Sequence, residues 1–225
     1  MYGEMSFSGM AELLLHPAVH PVVARDRPRF VDYGSGSGRL LLGVAAMSDW
    51  ESCAGVEAIA GLHAIASASA ARAETTGLLP PGIVASLHGS GLPHEAPAAG
   101  VIAKADLCFM YSTAFPSEDA LRLPEVSASL ASTMKEGSVV VTTDTFLVGD
   151  HFRFAPPLVL AKGAGGEPIQ CFVWRVTREP APSYDTAYSE VMARWMGDDP
   201  CEHNEKACEA IFEALEAMEE DDDKS

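Results

Sequence analysis

Short apolar runs alternate with helical patterns along most of the chain. Runs of four to seven residues, bounded by polar or glycine-rich stretches, predict strands at 30–33, 53–56, 83–87, 105–111 and 138–143. Apolar residues three and four positions apart predict helices from Phe7 to about His16 and over about 38–47, 59–76 and 118–133. This alternation is typical of an α/β fold with a doubly wound, mostly parallel sheet and helices on both faces.

The C-terminal third of the chain departs from this alternation. Val159-Leu160 and the run 169–176 flank a glycine-rich turn at 163–166, which predicts a closing antiparallel pair. Helical patterns follow over 185–197 and 203–219, and the second of these carries acids on most of its faces. We therefore expect one α/β domain over 1–197, followed by an acidic helix and a disordered tail over 198–225.

The first predicted strand leads directly into a turn with three alternate glycines. Asp32 and Tyr33 end the strand, and Gly34-Ser35-Gly36-Ser37-Gly38 precedes the helix 38–47. Glycines let a backbone approach a ligand closely, and the N-terminal end of the following helix carries a partial positive charge. Glu57, which is 25 residues after Asp32, ends the second strand, where an acid is placed to accept hydrogen bonds from a ribose. The pattern predicts a nucleotide-binding βαβ unit.

The spacing of the glycines indicates which nucleotide is bound. A dinucleotide fingerprint, G-x-G-x-x-G, needs a glycine at the position that Arg39 occupies here. Asp32, two residues before the first glycine, would repel a pyrophosphate and suits a ligand that carries an amino group. An acid followed by G-x-G-x-G resembles the first motif of class I methyltransferases, whose cofactor is S-adenosyl-L-methionine.

Charge limits the partners that we expect. The net charge is −17, of which −10 lies in residues 198–225, and the lysines and arginines form no cluster in the sequence. Direct binding of DNA or RNA through phosphate contacts is therefore disfavoured. A basic protein substrate is electrostatically compatible with the chain.

Membrane and cysteine patterns bear on the compartment. No apolar run approaches the ~20 residues of a membrane span, and the N-terminus shows no signal-peptide pattern. The five cysteines form no C-x-x-C pair, and Cys201, His203 and Cys208 fall short of a metal-ligand set, so no metal site is expected. We expect a protein of the cytoplasm or nucleus with reduced thiols and without a membrane span.

Four further segments follow one another in a set order. They are Tyr2-Gly3-Glu4, Gly55-Val56-Glu57, Thr113-Ala114-Phe115 and Met134-Lys135-Glu136-Gly137. Together with the glycine turn, their order resembles that of the disruptor-of-telomeric-silencing (Dot-type, non-SET) histone-lysine methyltransferases, over about residues 1–150. The resemblance implies a class I methyltransferase fold, S-adenosyl-L-methionine as cofactor and a protein substrate such as a histone, and hence a chromatin regulator in the nucleus.

The resemblance also implies the cofactor contacts. The N-terminal loop and helix, residues 1–29, would cover the cofactor, with the loop over its methionine end. Asp32 and the glycine turn would bind its amino and carboxylate groups, and Glu57 its ribose hydroxyls. Ser90 lies near the position at which the family has an acid that contacts the adenine. The full set is Tyr2, Gly3, Glu4, Met5, Asp32, Gly34, Ser35, Gly36, Glu57 and Ser90.

The acceptor side matches the family less closely. The family lines its methyl-transfer channel with an asparagine, where this chain has Tyr111 and Ser112, and the late segment 170–173 lacks the family's tyrosines. The family's basic nucleosome-binding segment has no counterpart either. An acceptor lysine must lose its proton before it attacks, and burial among aromatic and apolar groups lowers the pKa of an amine. The expected catalytic residues are therefore Tyr111, Ser112 and Phe115, with Phe172 as a further candidate for the wall.

Two alternatives to a histone-lysine enzyme remain open. The altered acceptor side and the lack of basic residues favour a methyltransferase of the same fold that acts on a non-histone protein or a small molecule. A cofactor-binding module without turnover would also keep Asp32, the glycine turn and Glu57 beside a rebuilt acceptor side.

Overall fold

The computed structural model describes residues 5–89, 92–115, 122–155, 159–166 and 168–179. The strands in these ranges are β1 (Arg29–Tyr33), β2 (Ser52–Glu57), β3 (Val84–His88), β4 (Leu107–Met110), β5 (Val139–Thr143), β6 (Phe152–Phe154), β7 (Val159–Lys162) and β8 (Pro168–Val176). The helices are α1 (Phe7–Leu14), α2 (His20–Val23), α3 (Arg39–Met47), α4 (Ala60–Thr75), α5 (Ala98–Ile102) and α6 (Pro124–Thr133), with a 3-10 turn at Ser112–Ala114. None of these helices is long and apolar enough to cross a membrane.

The strands form one eight-stranded sheet in the order β3-β2-β1-β4-β5-β8-β6, and β7 also pairs with β8. Strands β3, β2, β1, β4 and β5 are parallel, and β8 runs antiparallel to β5. Strands β6 and β7 pair with different stretches of β8, near its end and its beginning. The carboxyl ends of the five parallel strands therefore lie at one edge of the sheet.

Helices cover both faces of the sheet because its central strands are apolar on both sides. Every residue of β4 and β5 is buried. Met10 of α1, Val44 of α3 and Ala70 of α4 belong to the core cluster on one face. Ile102 of α5 and Leu130 of α6 belong to the cluster on the other face. The predicted doubly wound, mostly parallel sheet with an antiparallel C-terminal strand is confirmed.

Three short elements had no sequence prediction. Helices α2 and α5 have four and five residues and β6 has three, which is too short for a period of 3.6 or 2 to stand out. The helix predicted over 118–133 begins at Pro124 instead. Residues 122 and 123 are not helical, since Arg122 forms a parallel bridge with Phe146 and proline is favoured at the first position of a helix. Residues 118–121 lie outside the described residues. The helices predicted over 185–197 and 203–219, the domain boundary at residue 197 and the tail lie outside the described residues.

At the amino edge of the sheet, the side chain of Asp106 joins three parts of the chain. Its Oδ1 lies 3.0 Å from Nη1 of Arg25 and 2.8 Å from Nζ of Lys135, and its Oδ2 accepts the backbone N–H of Arg29 at 3.0 Å. Burial raises the pKa of Asp106, but the hydrogen bonds and charges of these partners outweigh it and lower the pKa overall. The carboxylate therefore stabilises the fold in its charged form.

We expect Asp106→Asn to lower the free energy of unfolding by about 1–3 kcal/mol at pH 7, since hydrogen bonds to a charged group are lost. Because the pKa of Asp106 is lower in the folded state, this stabilisation is present above the ordinary value of 3.8 and is lost as the pH falls below it. Denaturant unfolding at pH 7 and pH 3 measures both effects. If the difference in the free energy of unfolding between the parent protein and Asp106→Asn is the same at pH 3 as at pH 7, the role given to the charge is contradicted.

The control is Glu51→Gln. Glu51 pairs with Arg29 at 2.6 Å, but both side chains of that pair are more than a third exposed. Exposed ion pairs contribute little to stability, so we expect a change within about 0.5 kcal/mol.

Candidate functional site

The candidate site lies at the carboxyl edge of the sheet, where the chain leaves β1. Strand β1 has β2 on one side and β4 on the other, so the connections that follow β1 and β4 diverge at this point. Ligands of open α/β sheets bind in the crevice at such a switch point. The glycine turn follows β1, and the 3-10 turn at Ser112–Ala114 follows β4.

The glycine turn has a backbone that only glycine adopts readily. Gly34, Gly36 and Gly38 have φ angles of +88°, +56° and +78°. The N–H groups of Gly34 and Ser35 both donate to the carbonyl of Val56, at 2.8 and 3.0 Å. The turn is therefore fixed to the end of β2, and helix α3 begins directly after it.

Two buried carboxylates flank this turn. Glu57, which is 6% exposed, accepts the N–H of Gly36 on Oε2 at 2.7 Å and the N–H of Ile59 on Oε1 at 2.8 Å. Each of these oxygens has a second lone pair. Asp32, which is 3% exposed, ends the buried part of β1 on the other side of the turn. The arrangement is negative and suits a ligand with an ammonium group and hydroxyls, not a pyrophosphate.

The side-chain hydroxyl of Ser35 is buried in this turn without a hydrogen-bond partner. Among the described residues, its Oγ is the one buried side-chain nitrogen or oxygen for which no partner is present. A Cβ on Gly55 would lie 2.6 Å from this Oγ and 2.7 Å from Cδ2 of Leu41. The glycine in Gly55-Val56-Glu57 is thus required by the close packing of the turn and α3 on β2.

An aromatic pair borders the turn on the side of β4. The ring of Phe115 lies 3.2 Å from where a Cβ on Gly34 would be, and it meets the ring of Tyr33 edge-on at a centroid distance of 5.8 Å. Burial, followed by the neighbouring Cys108 and Glu95, raises the pKa of Tyr33 to about 12. Tyr33 therefore keeps its proton at neutral pH. Phe115 is among the site residues predicted from the sequence, whereas Tyr33 is not.

Ser112 ties the carboxyl ends of β4 and β5 together. Its hydroxyl donates to the carbonyl of Thr143 at 2.9 Å and accepts from the N–H of Thr143 at 3.0 Å and from Oγ1 of Thr145 at 2.7 Å. The backbone N–H of Ser112 donates to Oγ1 of Thr143 at 2.9 Å, and the residue is fully buried. The described contacts of Ser112 are thus structural, and a direct contact with an acceptor stays a prediction.

Asp144 extends this network toward β8. Its Oδ2 accepts from Oγ1 of Thr113 at 2.8 Å, and its Oδ1 accepts the N–H of Gln170 at 3.1 Å. Its backbone has a φ of +55°, a conformation in which aspartate is more common than most residues. Asp144 is not among the site residues predicted from the sequence. Its signal is the run of three polar residues at 143–145, at the end of a buried strand.

The remaining predicted site residues are distributed as follows. Tyr111 is half-buried and packs against the core cluster that contains the fully buried Met5. Phe172 packs 4.4 Å from Phe146, in an aromatic cluster with Phe154 and Trp174. The other predicted cofactor contacts lie outside the described residues, namely Tyr2, Gly3, Glu4 and Ser90. In the described ranges, no three His, Cys, Asp or Glu side chains converge as metal ligands.

Two of the solved structures that align with this chain are named as putative methyltransferases. No protein-family model and no curated protein matches the chain. The putative methyltransferase yhhF of Escherichia coli aligns at a TM-score of 0.52 and 13% identity, over 76% of this chain and 87% of its own. A putative tRNA (m1A22) methyltransferase of Streptococcus pneumoniae, Sp1610, aligns at a TM-score of 0.50 and 11% identity, over 88% of this chain and 87% of its own.

A third alignment covers a shorter stretch. A SAM-dependent methyltransferase of Thiobacillus denitrificans, solved with S-adenosyl-L-homocysteine, has a TM-score of 0.44 at 20% identity over 62% of this chain. The chain spans about half the length of that protein, 48%. The strand order, the antiparallel C-terminal strand and the alignments with yhhF and Sp1610 show that this chain has a Rossmann-like fold of the kind that methyltransferases have.

A pair of serine variants tests how the two buried hydroxyls of the site are satisfied. We expect Ser112→Ala to lower the free energy of unfolding by about 1–3 kcal/mol, because the buried N–H of Thr143 loses its partner. Ser35→Ala should change it by less than about 0.5 kcal/mol or stabilise the fold, since the removed hydroxyl has no partner. Urea unfolding of both variants makes the comparison. Equal destabilisation would show that the Ser35 hydroxyl has a hydrogen-bond partner in the folded protein.

Proposed function

We propose that this protein is an S-adenosyl-L-methionine-dependent methyltransferase. The observation that carries the proposal is the glycine turn between two buried carboxylates, with Gly36 bound to Glu57 at 2.7 Å. The fold supports it, because it places this turn at the switch point of a methyltransferase-type sheet. The resemblance of residues 30–57 to the first methyltransferase motif is independent support.

The residues at the turn fit this cofactor. Asp32 would accept hydrogen bonds from the ammonium group of its methionine part, and the N–H groups of the turn would approach its carboxylate. Glu57 would accept hydrogen bonds from the ribose hydroxyls with the lone pairs that Gly36 and Ile59 do not use. The cofactor supplies a methyl group bound to a sulfonium, and the protein supplies binding, orientation and the exclusion of water.

The acceptor is expected on the side of β4 and β5. The Phe115 ring borders the glycine turn, so an acceptor that enters over the 3-10 turn would meet an aromatic wall next to the reacting methyl group. Tyr111 follows β4 directly, and its phenol group would orient the acceptor by a hydrogen bond. Ser112 would act by fixing this turn to Thr143. Such a site works by alignment and by removing water from the nucleophile.

A non-histone protein or a small molecule is the acceptor class that we favour. The negative charge of the chain disfavours nucleic acid, and the altered acceptor side removes the groups that the histone-lysine family uses. The histone-lysine activity is the second candidate, because the order of the motifs over residues 1–150 favours it. A cofactor-binding module without turnover is the third.

Gly36→Arg tests the cofactor site. A long side chain at a position with a φ of +56°, in the turn that faces the ligand, would strain the backbone and occupy the ligand's space. We expect calorimetry to show at least ~100-fold weaker binding of S-adenosyl-L-methionine, which corresponds to about 2.7 kcal/mol. Gly77→Arg is the matched control, because Gly77 also has a positive φ, +71°, but follows α4 away from the site. Unchanged affinity in Gly36→Arg would refute the site assignment.

Methyl transfer separates the three candidate functions. Radiolabelled S-adenosyl-L-methionine is incubated with nucleosomes, with free core histones and with a cell extract divided into protein and small-molecule fractions, and Gly36→Arg serves as the inactive control. Label in the extract alone supports the proposed acceptor class, and label on a histone supports the second candidate. Cofactor binding without transfer to any fraction supports the third.

Tyr111→Phe should then lower turnover by about tenfold and leave the cofactor Kd unchanged, because only a hydrogen bond to the acceptor is lost.

A further inference from the structure

The first described residues of the chain are bound to the hairpin of β7 and β8. We call residues 5–7 the N-terminal strap. Met5 is fully buried and forms an antiparallel bridge with Gly163, and the N–H of Ser6 donates to the carbonyl of Lys162 at 2.9 Å. Helix α1, which continues from the strap, packs so closely on β7 that a Cβ on Gly9 would lie 3.1 Å from the Cβ of Ala161.

Arg39 binds the same strap from the opposite side. Its Nη2 donates to the carbonyl of Met5 at 3.2 Å, and its Cζ lies 4.7 Å from the centroid of the Phe7 ring. The Phe7 ring in turn lies directly on Gly43 of α3, where a Cβ would overlap it. Arg39 is the first residue of α3, directly after the last glycine of the turn. One side chain thus links the strap to the helix that starts at the proposed cofactor site.

The two attachments of the strap lie on different halves of the site. We call the glycine turn with the start of α3 the cofactor half of the candidate site, and the segments that follow β4 and β5, where we propose that the acceptor enters, the acceptor half. Helix α3 follows β1 and belongs to the cofactor half. The hairpin turn extends beyond the carboxyl end of β5, since the N–H of Asp144 donates to the carbonyl of Gln170 at the start of β8. Met5 belongs to the large core cluster on one face of the sheet, and Tyr111 at the end of β4 packs against the same cluster. The strap therefore spans the carboxyl edge from the cofactor half to the acceptor half.

We infer that Arg39 is a positioning residue that holds the N-terminal strap across this edge and thereby raises cofactor affinity. The inference rests on the proposed function for its effect on the cofactor, but the docking of the strap is independent of it. The guanidinium suits the task because it donates a charged hydrogen bond to Met5 and stacks on the Phe7 ring with the same planar group. Lysine offers a point charge and cannot do both equally well.

The test measures the strap without cofactor and then with it. Hydrogen exchange by NMR follows the Ser6 amide, which is protected only while the strap is bound to Lys162. In Arg39→Gln we expect this amide to exchange about tenfold faster, with Arg39→Lys in between, because a charged hydrogen bond and a cation–π contact are lost. The Val139 amide, bound to the Asp106 carbonyl at the opposite edge, should be unchanged. Calorimetry should then show about tenfold weaker binding of S-adenosyl-L-methionine to Arg39→Gln.

Controls keep the inference separate from the proposed function. Arg72→Gln removes the same charge from an exposed site on α4 and should change neither the exchange nor the affinity. Unchanged Ser6 exchange in Arg39→Gln would overturn the inference, whatever the cofactor result. Faster exchange with unaltered affinity would overturn its cofactor part. If the parent protein binds no S-adenosyl-L-methionine, the proposed function fails while the exchange result still decides how the strap is held. If Arg39→Gln does not fold, Phe7→Leu replaces it, since this variant removes only the aromatic ring. Hydrogen exchange of the Ser6 and Val139 amides is then measured in the same way.

Discussion

The attachment of the glycine turn to the end of β2 is the constraint on which the candidate site depends. Two backbone N–H groups of the turn share the Val56 carbonyl, and the next residue along β2, Glu57, accepts the N–H of Gly36. These bonds require left-handed backbone angles, which glycine supplies. They also require space, and Gly55 provides it by letting Ser35 and Leu41 approach β2. The glycines of both segments therefore serve one junction, which fixes where α3 begins and how the two carboxylates stand relative to each other.

The acceptor half is held together in a different way. There the junction consists of side chains, because the hydroxyl of Ser112 bonds to both backbone groups of Thr143 and to Thr145. Asp144 continues the connection to the 3-10 turn and to β8. Buried networks of this kind fix one geometry when every member is satisfied. The cofactor half is thus set by backbone conformation, whereas the acceptor half is set by a network of short polar side chains that can vary without a change of fold.

This contrast explains how much could be predicted from the sequence. Strands β1 to β5, β7 and β8 follow from short apolar runs, and helices α1, α3 and α4 follow from apolar residues three and four positions apart. The glycine turn and Glu57 follow from spacing, because a backbone junction leaves a local pattern. The ties of Ser112 and Asp144 join residues about 30 positions apart. Such contacts leave no periodic signal. Ser112 is therefore predicted as an acceptor contact only from the family resemblance, whereas its observed hydrogen bonds join the ends of β4 and β5.

Electrostatics gives the site a selectivity that the fold alone does not carry. Folds of this type serve many acceptors, so the alignment with a putative tRNA methyltransferase says nothing about the acceptor of this chain. Asp32 and Glu57 are both buried beside one short turn. Charges interact more strongly where water is excluded, so two acidic side chains there favour a ligand that carries a positive charge over an anionic one. The same reasoning applies to our proposal for the acceptor, since Asp144 lies beside the turn after β4. On that proposal a neutral or cationic acceptor would be favoured there. An acceptor presented on a phosphate backbone would need clustered cations, and the lysines and arginines of this chain, whose net charge is −17, form no cluster in the sequence.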